Sequence, residues 1–509
     1  MAKVQQHVGR LMPTKIVVIT SNRAGASLRQ ARPGRPLASS RCSWTFPRPR
    51  IAVADCRFHC RHHRGPKHRL RLAESRPRAS WWTHPAGLPT DSGSVIIAHG
   101  GGGVVVLASM SVIDQSTSEF QRARAALPLA IAICLGFALR CYWWLTHPAI
   151  NSPDAILYLK EADNLFSLGM LQSDVCMPLY PLLIHLTGAN GIIALQVVIS
   201  TVSIYLGYRI SVDVWGGRKA ALIAAFMLAV HPMLIYYTTF RLTETVFIFL
   251  VLIGFASIYR NQVVAAAVAF TLADLTRPSL DLVFPAIILA ATFATAKPSL
   301  PAIARRLAIF ALVYCALMSG WWLHNYHKYH GFVRLNLGGG VTMFLENNDQ
   351  FQRDWSKLDW ANLFAPFAGI SDPVERDSAM RSAAITYIAA DPVRWLGAVV
   401  ERAQLFFTPS DLFYSRFQRQ ASALLLAIMI VGASAALGFR AWWRRQLPLW
   451  IPVAFLTALH LCFHANPRYR LPLDPLLIIV ASGPLAAGSK RWSQALRKRP
   501  KEPLELRRG

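Results

Sequence analysis

Two carboxylates stand where this chain passes between polar and apolar sequence. Asp154 lies in SPDAILYL (152–159), just past an apolar run that starts near Leu127. Glu244 lies in FRLTETVFIFL (240–250), at the head of another apolar run. Acids at membrane depth are costly, so both are functional candidates by default. A carboxylate there can take a proton, hold a cation or fix an arginine. Basic partners for such a site are Arg277 in LTRPS (275–279) and the pair Arg468 and Arg470 in NPRYRLPL (466–473). Each has a plainer reading. Ser152-Pro153-Asp154 is good helix-start chemistry. Glu244, backed by Thr243, suits a helix N-terminus. Arg277 and Tyr469 suit an interfacial anchor. Arg241 is a plausible partner for Glu244, and Asp274 and Asp281 flank Arg277 as its simplest neutralisers.

The elements that must position these residues are membrane helices. The 509-residue chain is 53% hydrophobic and 16% charged, against about 25% charged in a soluble protein. Apolar runs of roughly 17–22 residues recur from Leu127, the length a bilayer core demands. The runs predict about ten spans, at 127–147, 190–211, 218–236, 243–259, 262–276, 279–296, 305–323, 421–439, 447–464 and 470–487. The connections WGGRKA, YRNQ, KPSLPAIARR and FRAWWRRQ are basic, as is the tail after Lys490. All fall on one side, so the positive-inside bias puts both termini in the cytoplasm and both acids outside. Basic NPRYRLPL on the outer side runs against that bias and needs a reason.

Outside the spans, SPDAILYLKEADNLFSLG (152–169) has the spacing of an amphipathic surface helix. MPLYPLLIHL (177–186) is too short to span and is expected in the interface. Asp372-Pro and Asp391-Pro predict two helix starts in an outer segment over 324–420, packed above the membrane mouth. His324, His327 and His330 read as a solvated interfacial helix rather than metal ligands. The glycines at 338–340 followed by ENN (346–348) read as a donor-side loop or a linker.

The first 109 residues differ. They hold +15 of the net +28, without a helical or strand period. HGGGG (99–103) lacks the Lys-Ser/Thr of a phosphate loop and reads as a flexible linker. Cys56 and Cys60 lie near several histidines but lack a second ligand pair for zinc. We expect residues 1–109 to be a disordered basic extension foreign to the native protein, with the chain starting at Met110; the alternative is a native basic tail that touches anionic lipid. Basic charge in this setting reports topology and not a nucleic-acid partner. The expected divisions are 1–109, a membrane module at 110–323, the outer segment at 324–420, further membrane helices at 421–489 and a basic tail at 490–509.

In chain order the motifs are SPDAILYL, MPLYPLLI, RLTETVFIFL, LTRPSLDLVFP (275–285), WWLHNYHKYHGFVRLNLGGGVTMFLENN (321–348) and NPRYRLPLDPLL (466–477). With them the chain, over roughly 125–485, resembles the polyprenyl-phosphate-sugar-dependent membrane glycosyltransferases of the GT-C fold. The branch is that of the dolichyl-phosphate-mannose–protein mannosyltransferases, glycosyltransferase family 39, which also holds the aminoarabinose transferase acting on lipid A. The resemblance implies an all-α bundle and inverting sugar transfer to an acceptor hydroxyl on the outer face of the cytoplasmic membrane. It implies Asp154 as base and Glu244 as second acid. It implies substrate contacts from Tyr158, Arg277, His464, Arg468, Tyr469 and Arg470, with Arg277 and Arg470 holding the phosphate. The donor would be a polyprenyl-phosphate-linked sugar, the acceptor an envelope glycan, lipid or protein. It fixes no cofactor, and a divalent metal is compatible. Two departures stand out: Ala155 replaces the second acid that many members carry beside the first, and the outer segment is small. The rivals are a flippase for a lipid-linked substrate, which predicts broken helices and repeats not read here, and a member that only binds lipid-linked sugar.

Overall fold

A computed structural model describes residues 97–100, 103–106, 111–147, 152–295, 298–350, 359–409 and 415–497. Most of the basic extension, its Cys56–Cys60 pair and the expected start at Met110 lie outside the described residues.

The HGGGG expectation is corrected. Strand β1 (Ile97–Gly100) pairs antiparallel with β2 (Gly103–Val106), Ile97 opposite Val106. Isoleucine and valine on both strands favour extended pairing. The rest of the described chain is helical.

Helix α1 (Ser111–Thr146) leads to α2 (Pro153–Ser167), which begins at Pro153 because Ser152 Oγ accepts from Ala155 N–H at 3.2 Å. Helix α3 (Leu179–Trp215) kinks at Gly188, whose φ of 76° only glycine adopts freely, and ends at Gly216 (φ 63°). The kink sets the helical part of MPLYPLLIHL apart, as a short first arm, from the span expected at 190–211. Helices α4 (Arg218–Val230) and α5 (Pro232–Tyr236) meet at His231, and the pair is bent by 52°. Then come α6 (Glu244–Ile258), α7 (Val263–Thr276), α8 (Phe284–Thr295) and α9 (Leu300–Tyr329). The outer segment contributes α10 (Gly339–Phe344), α11 (Trp360–Phe364), α12 (Pro373–Ala390) and α13 (Pro392–Phe406). Asp372 and Asp391 cap the last two, accepting from Val374 N–H and Arg394 N–H. The chain closes with α14 (Arg416–Ala436), α15 (Trp443–Cys462), the one-turn α16 (Pro467–Arg470) and α17 (Asp474–Arg497).

Each predicted span holds a helix, and apart from the β1–β2 pair the described residues form an all-α multi-pass membrane protein. By length and composition four helices can cross a bilayer unaided: Arg124–Thr146, α3, α9 and α14, or five if the bent α4–α5 pair counts as one. Helices α6 and α7 are apolar but only 15 and 14 residues long, about 22 Å against a core of about 30 Å. They are buried nearly all round, as fits helices lined by protein rather than lipid. Phe270 of α7 stacks on Phe284 of α8, centroids 4.4 Å apart.

The bend at His231 is a broken helix that the sequence did not reveal. It leaves the last carbonyls of α4 without helical donors. Arg140 of α1 supplies them. Its buried guanidinium donates to Ala229 O (3.2 Å), Leu228 O (3.3 Å), Gly136 O (2.9 Å) and Ser200 Oγ (2.7 Å). A cation at a helix C-terminus also meets the favourable end of the dipole. The cavity beside it is about 10 Å³, room for no more than one water.

In the outer segment, Gly340 of α10 lies directly against α12. A Cβ there would come within 2.0 Å of the Asp377 carbonyl oxygen. Gly340 N–H also donates to Asp377 Oδ1 at 2.6 Å. Gly340→Ala is expected to lower stability by about 1–3 kcal/mol through overpacking, read as a lowered melting temperature of the purified protein.

Candidate functional site

Four helices deliver the site, each for a local reason. Ser152 caps α2, so Asp154 is released from that duty and its Oδ2 accepts from Arg468 Nη1 at 2.5 Å. Glu244 opens α6 as the acid of its first turn, and Thr243 makes no side-chain cap there. Glu244 Oε1 accepts from Arg468 Nε at 2.5 Å and Arg277 Nη1 at 2.8 Å. Arg277 terminates α7 and steadies its own Nε on Ser279 Oγ at 3.0 Å. Arg468 is aimed by α16, whose cap Asn466 accepts from Arg468 N–H at 2.9 Å.

Arg468 thus bridges two acids that differ sharply in access. The Asp154 side chain is 51% exposed and that of Glu244 0%. Burial works against the Arg468 charge, but Glu244, Tyr469 and Asp154 outweigh it and hold its pKa above the ordinary arginine range. Only Asp154 is placed to meet a molecule arriving from outside. Glu244 is placed to aim two guanidiniums.

Aromatic rings line the group. Arg277 lies 4.8 Å over the Tyr469 ring, a cation–π arrangement. The same ring stacks parallel on His460 at 4.8 Å. Tyr158 of α2 meets Tyr180 edge-on at 5.1 Å. Tyr180 donates to Gln196, and Gln196 donates to the carbonyls of Thr238 (2.9 Å) and Phe240 (2.7 Å). That chain of bonds fixes the segment leading into Glu244. Burial first pushes the Tyr158 and Tyr469 hydroxyls above their usual range, so both stay neutral.

Several expected members lie elsewhere. Arg470 turns into the bundle, where its Nε donates to Asp474 Oδ1 (3.1 Å) and its Nη1 to Phe406 O (2.6 Å). It is 2% exposed, its guanidinium committed inside the bundle. Arg241 donates to Ala189 O and Asn190 Oδ1 rather than to Glu244. Asp281 takes Tyr314 and Arg334, and both carboxylate oxygens of buried Asp274 have no partner. Neither acid neutralises Arg277. His324 stacks on Trp321, and among the described residues no three His, Cys, Asp or Glu side chains form a metal-holding group. The space between Asp154 and Glu244 is filled by Arg468, so a cation bridging them would have to displace a guanidinium. These residues do not fit a divalent metal.

One constellation escaped the sequence reading. Glu346, in the ENN read as loop or linker, is buried and anchors a network. Its Oε2 accepts from Arg402 Nε (3.0 Å) and Ala465 N–H (3.2 Å), and its Oε1 lies 2.6 Å from His464 Nδ1. Arg402 of α13 also donates to Cys462 O (3.0 Å) and Asn347 Oδ1 (3.0 Å), and Asn347 donates to Phe463 O (3.2 Å). His464 therefore serves this latch, with its ring edge on Tyr469 at 5.0 Å. The latch fastens the outer segment to the loop from which Arg468 projects. An acid directly after the apolar MFL (343–345) was the available signal.

No family model matches the chain, and no curated protein matches it. Among solved structures it is similar to the archaeal oligosaccharyltransferase AglB from Archaeoglobus fulgidus in complex with an inhibitory peptide and a dolichol-phosphate. Identity is 13%, TM-score 0.45, and coverage 72% of this chain and 50% of that one. It is similar to ArnT from Cupriavidus metallidurans bound to undecaprenyl phosphate, at 15% identity, TM-score 0.42, and coverage of 73% and 62%. The apo form of the Archaeoglobus fulgidus oligosaccharyltransferase matches at 12% identity, TM-score 0.43, covering 71% and 50%. The match spans about half the length of the first of these structures.

Proposed function

We propose that the protein is an inverting glycosyltransferase that moves a sugar from a polyprenyl-phosphate carrier to an acceptor hydroxyl. The observation that carries the reading is the single guanidinium of Arg468, held between exposed Asp154 and buried Glu244 with Arg277 on the same acid. The ordered motif series supports it independently. An alcohol is a poor nucleophile, and a carboxylate at hydrogen-bond reach removes its proton. Asp154 takes that proton as the acceptor oxygen bonds to the sugar's anomeric carbon. The bond from that carbon to the phosphate oxygen breaks on the opposite face, and the lipid monophosphate leaves with the electron pair. Arg277 and Arg468 hold the leaving charge. Glu244 and Tyr469 position them, and Arg470 is replaced by Arg468 in the phosphate role. The site faces outward from the cytoplasmic membrane, both termini are cytoplasmic, and the acceptor is an envelope glycan, lipid or protein.

The bent α4–α5 pair favours a flippase as a second reading. Against it, Arg140 satisfies the break and the adjoining cavity holds about 10 Å³.

Purified protein in nanodiscs, given a radiolabelled polyprenyl-phosphate sugar and a mixture of envelope acceptors, is expected to transfer label with inversion. Donor binding without transfer to any acceptor class would leave a binding protein, and label crossing the bilayer unreacted would leave a flippase.

A further inference from the structure

At the far end of α6 and α7 the protein has a second pocket that the transfer chemistry does not use. Glu244 and Arg277 mark one end of these helices, and Asn261 to Ala265 mark the other, about 22 Å away along α6. There a groove of about 770 Å³ opens between the α6–α7 turn and the start of α9. One wall is apolar, built from Val263, Val264, Ala302 and Ile309, and the rim carries Arg305 and Arg306.

Among the described residues no carboxylate balances the charge of this rim. Arg306 donates to Thr292 Oγ1 at 3.0 Å and to Asn261 Oδ1 at 2.5 Å, both neutral acceptors. Those bonds fix the guanidinium without cancelling its charge. Among the described residues neither Arg305 nor Arg306 pairs with a carboxylate. The first turn of α7 faces the same groove, and its cap Gln262 makes no side-chain bond there.

The geometry points to a binding site for one anionic phospholipid, its phosphate on Arg305 and Arg306 and its acyl chain along the Val263–Ile309 wall. The two surfaces argue together. Guanidiniums match a phosphate by paired bonds, and a groove at the polar end of membrane helices offers the chain a path into the hydrocarbon. A free phosphate would use the rim and leave the apolar wall unsatisfied. The basic side of the bundle is also where anionic headgroups meet positive side chains in most membranes. This site does not depend on the proposed transfer reaction.

The test is native mass spectrometry of the full-length protein released from detergent, titrated with phosphatidylglycerol or with phosphatidylcholine of the same chains. Wild type is expected to hold one phosphatidylglycerol roughly tenfold more tightly than phosphatidylcholine. Arg305→Gln/Arg306→Gln is expected to erase the difference. Arg305→Gln alone removes an exposed side chain that anchors nothing else, so it decides the matter if the double variant does not fold, and it should lose part of the preference. Soluble glycerol phosphate should fail to displace the lipid. Equal retention of both lipids by wild type would overturn the proposal. So would a preference that survives in both variants, or displacement by glycerol phosphate at lipid-like concentrations.

Discussion

Asp154→Asn is expected to lower kcat for sugar transfer by about two to four orders of magnitude, the usual range for loss of a general base, while donor binding changes little. The substitution keeps an oxygen that can accept from Arg468 and removes the ability to take a proton. Asp154 is half-exposed and does not cap α2, since Ser152 does that. Folding should therefore be unaffected. Glu244 still aims both guanidiniums, so the phosphate's contacts survive. The measurement is a split of kcat against KM for the labelled donor, with equilibrium binding alongside. An Asn variant at wild-type kcat would remove Asp154 from the chemistry. A variant that lost donor binding as well would make it a ligand-holding group instead.

The largest expected effect on stability comes from the latch. Arg402→Met strips Glu346 of its main partner while leaving that acid buried; the two side chains are 3% and 0% exposed. Removing one member of a buried pair costs about 3–5 kcal/mol, because the remaining charge is uncompensated. Replacing both, as Glu346→Gln with Arg402→Met, should recover much of that loss. Thermal unfolding of the three variants checks it. If the double variant is no more stable than Arg402→Met, the pair is not the unit that holds the outer segment.

The sequence revealed the helical class, the helix starts at Asp372 and Asp391, and the members of the central group, Arg468, Tyr469 and Tyr158 among them. Asp154, Glu244 and Arg277 were visible because each interrupts an apolar run. Both Arg468 and Arg470 were read as substrate contacts with Arg470 on the phosphate, and the structure turns Arg470 into the bundle. Two residues apart on a helix they point about 200° from each other, so only one can face the acids. The sign was present: Asp474 sits four residues after Arg470, the spacing of a helical ion pair. Other features left no local trace. The latch joins Glu346 to residues 56 and 118 positions away, a matter of tertiary packing alone. The bend at His231 carries only a proline after it, which also suits an ordinary helix start. Helices α6 and α7 fall short of a bilayer because protein surrounds them, which hydropathy cannot register.

Arg468 uses one nitrogen on each acid, Nη1 on Asp154 and Nε on Glu244. In the proposed reaction the phosphodiester donor carries one negative charge and the departing monoester approaches two. The proton taken by Asp154 cancels that acid's claim on Nη1 at the moment the leaving phosphate needs another positive contact. The guanidinium can then change allegiance with little displacement, still tethered through Nε to Glu244. Nucleophile activation and leaving-group departure would be two ends of one charge transfer, and the net charge of the pocket would be the same before and after the sugar moves.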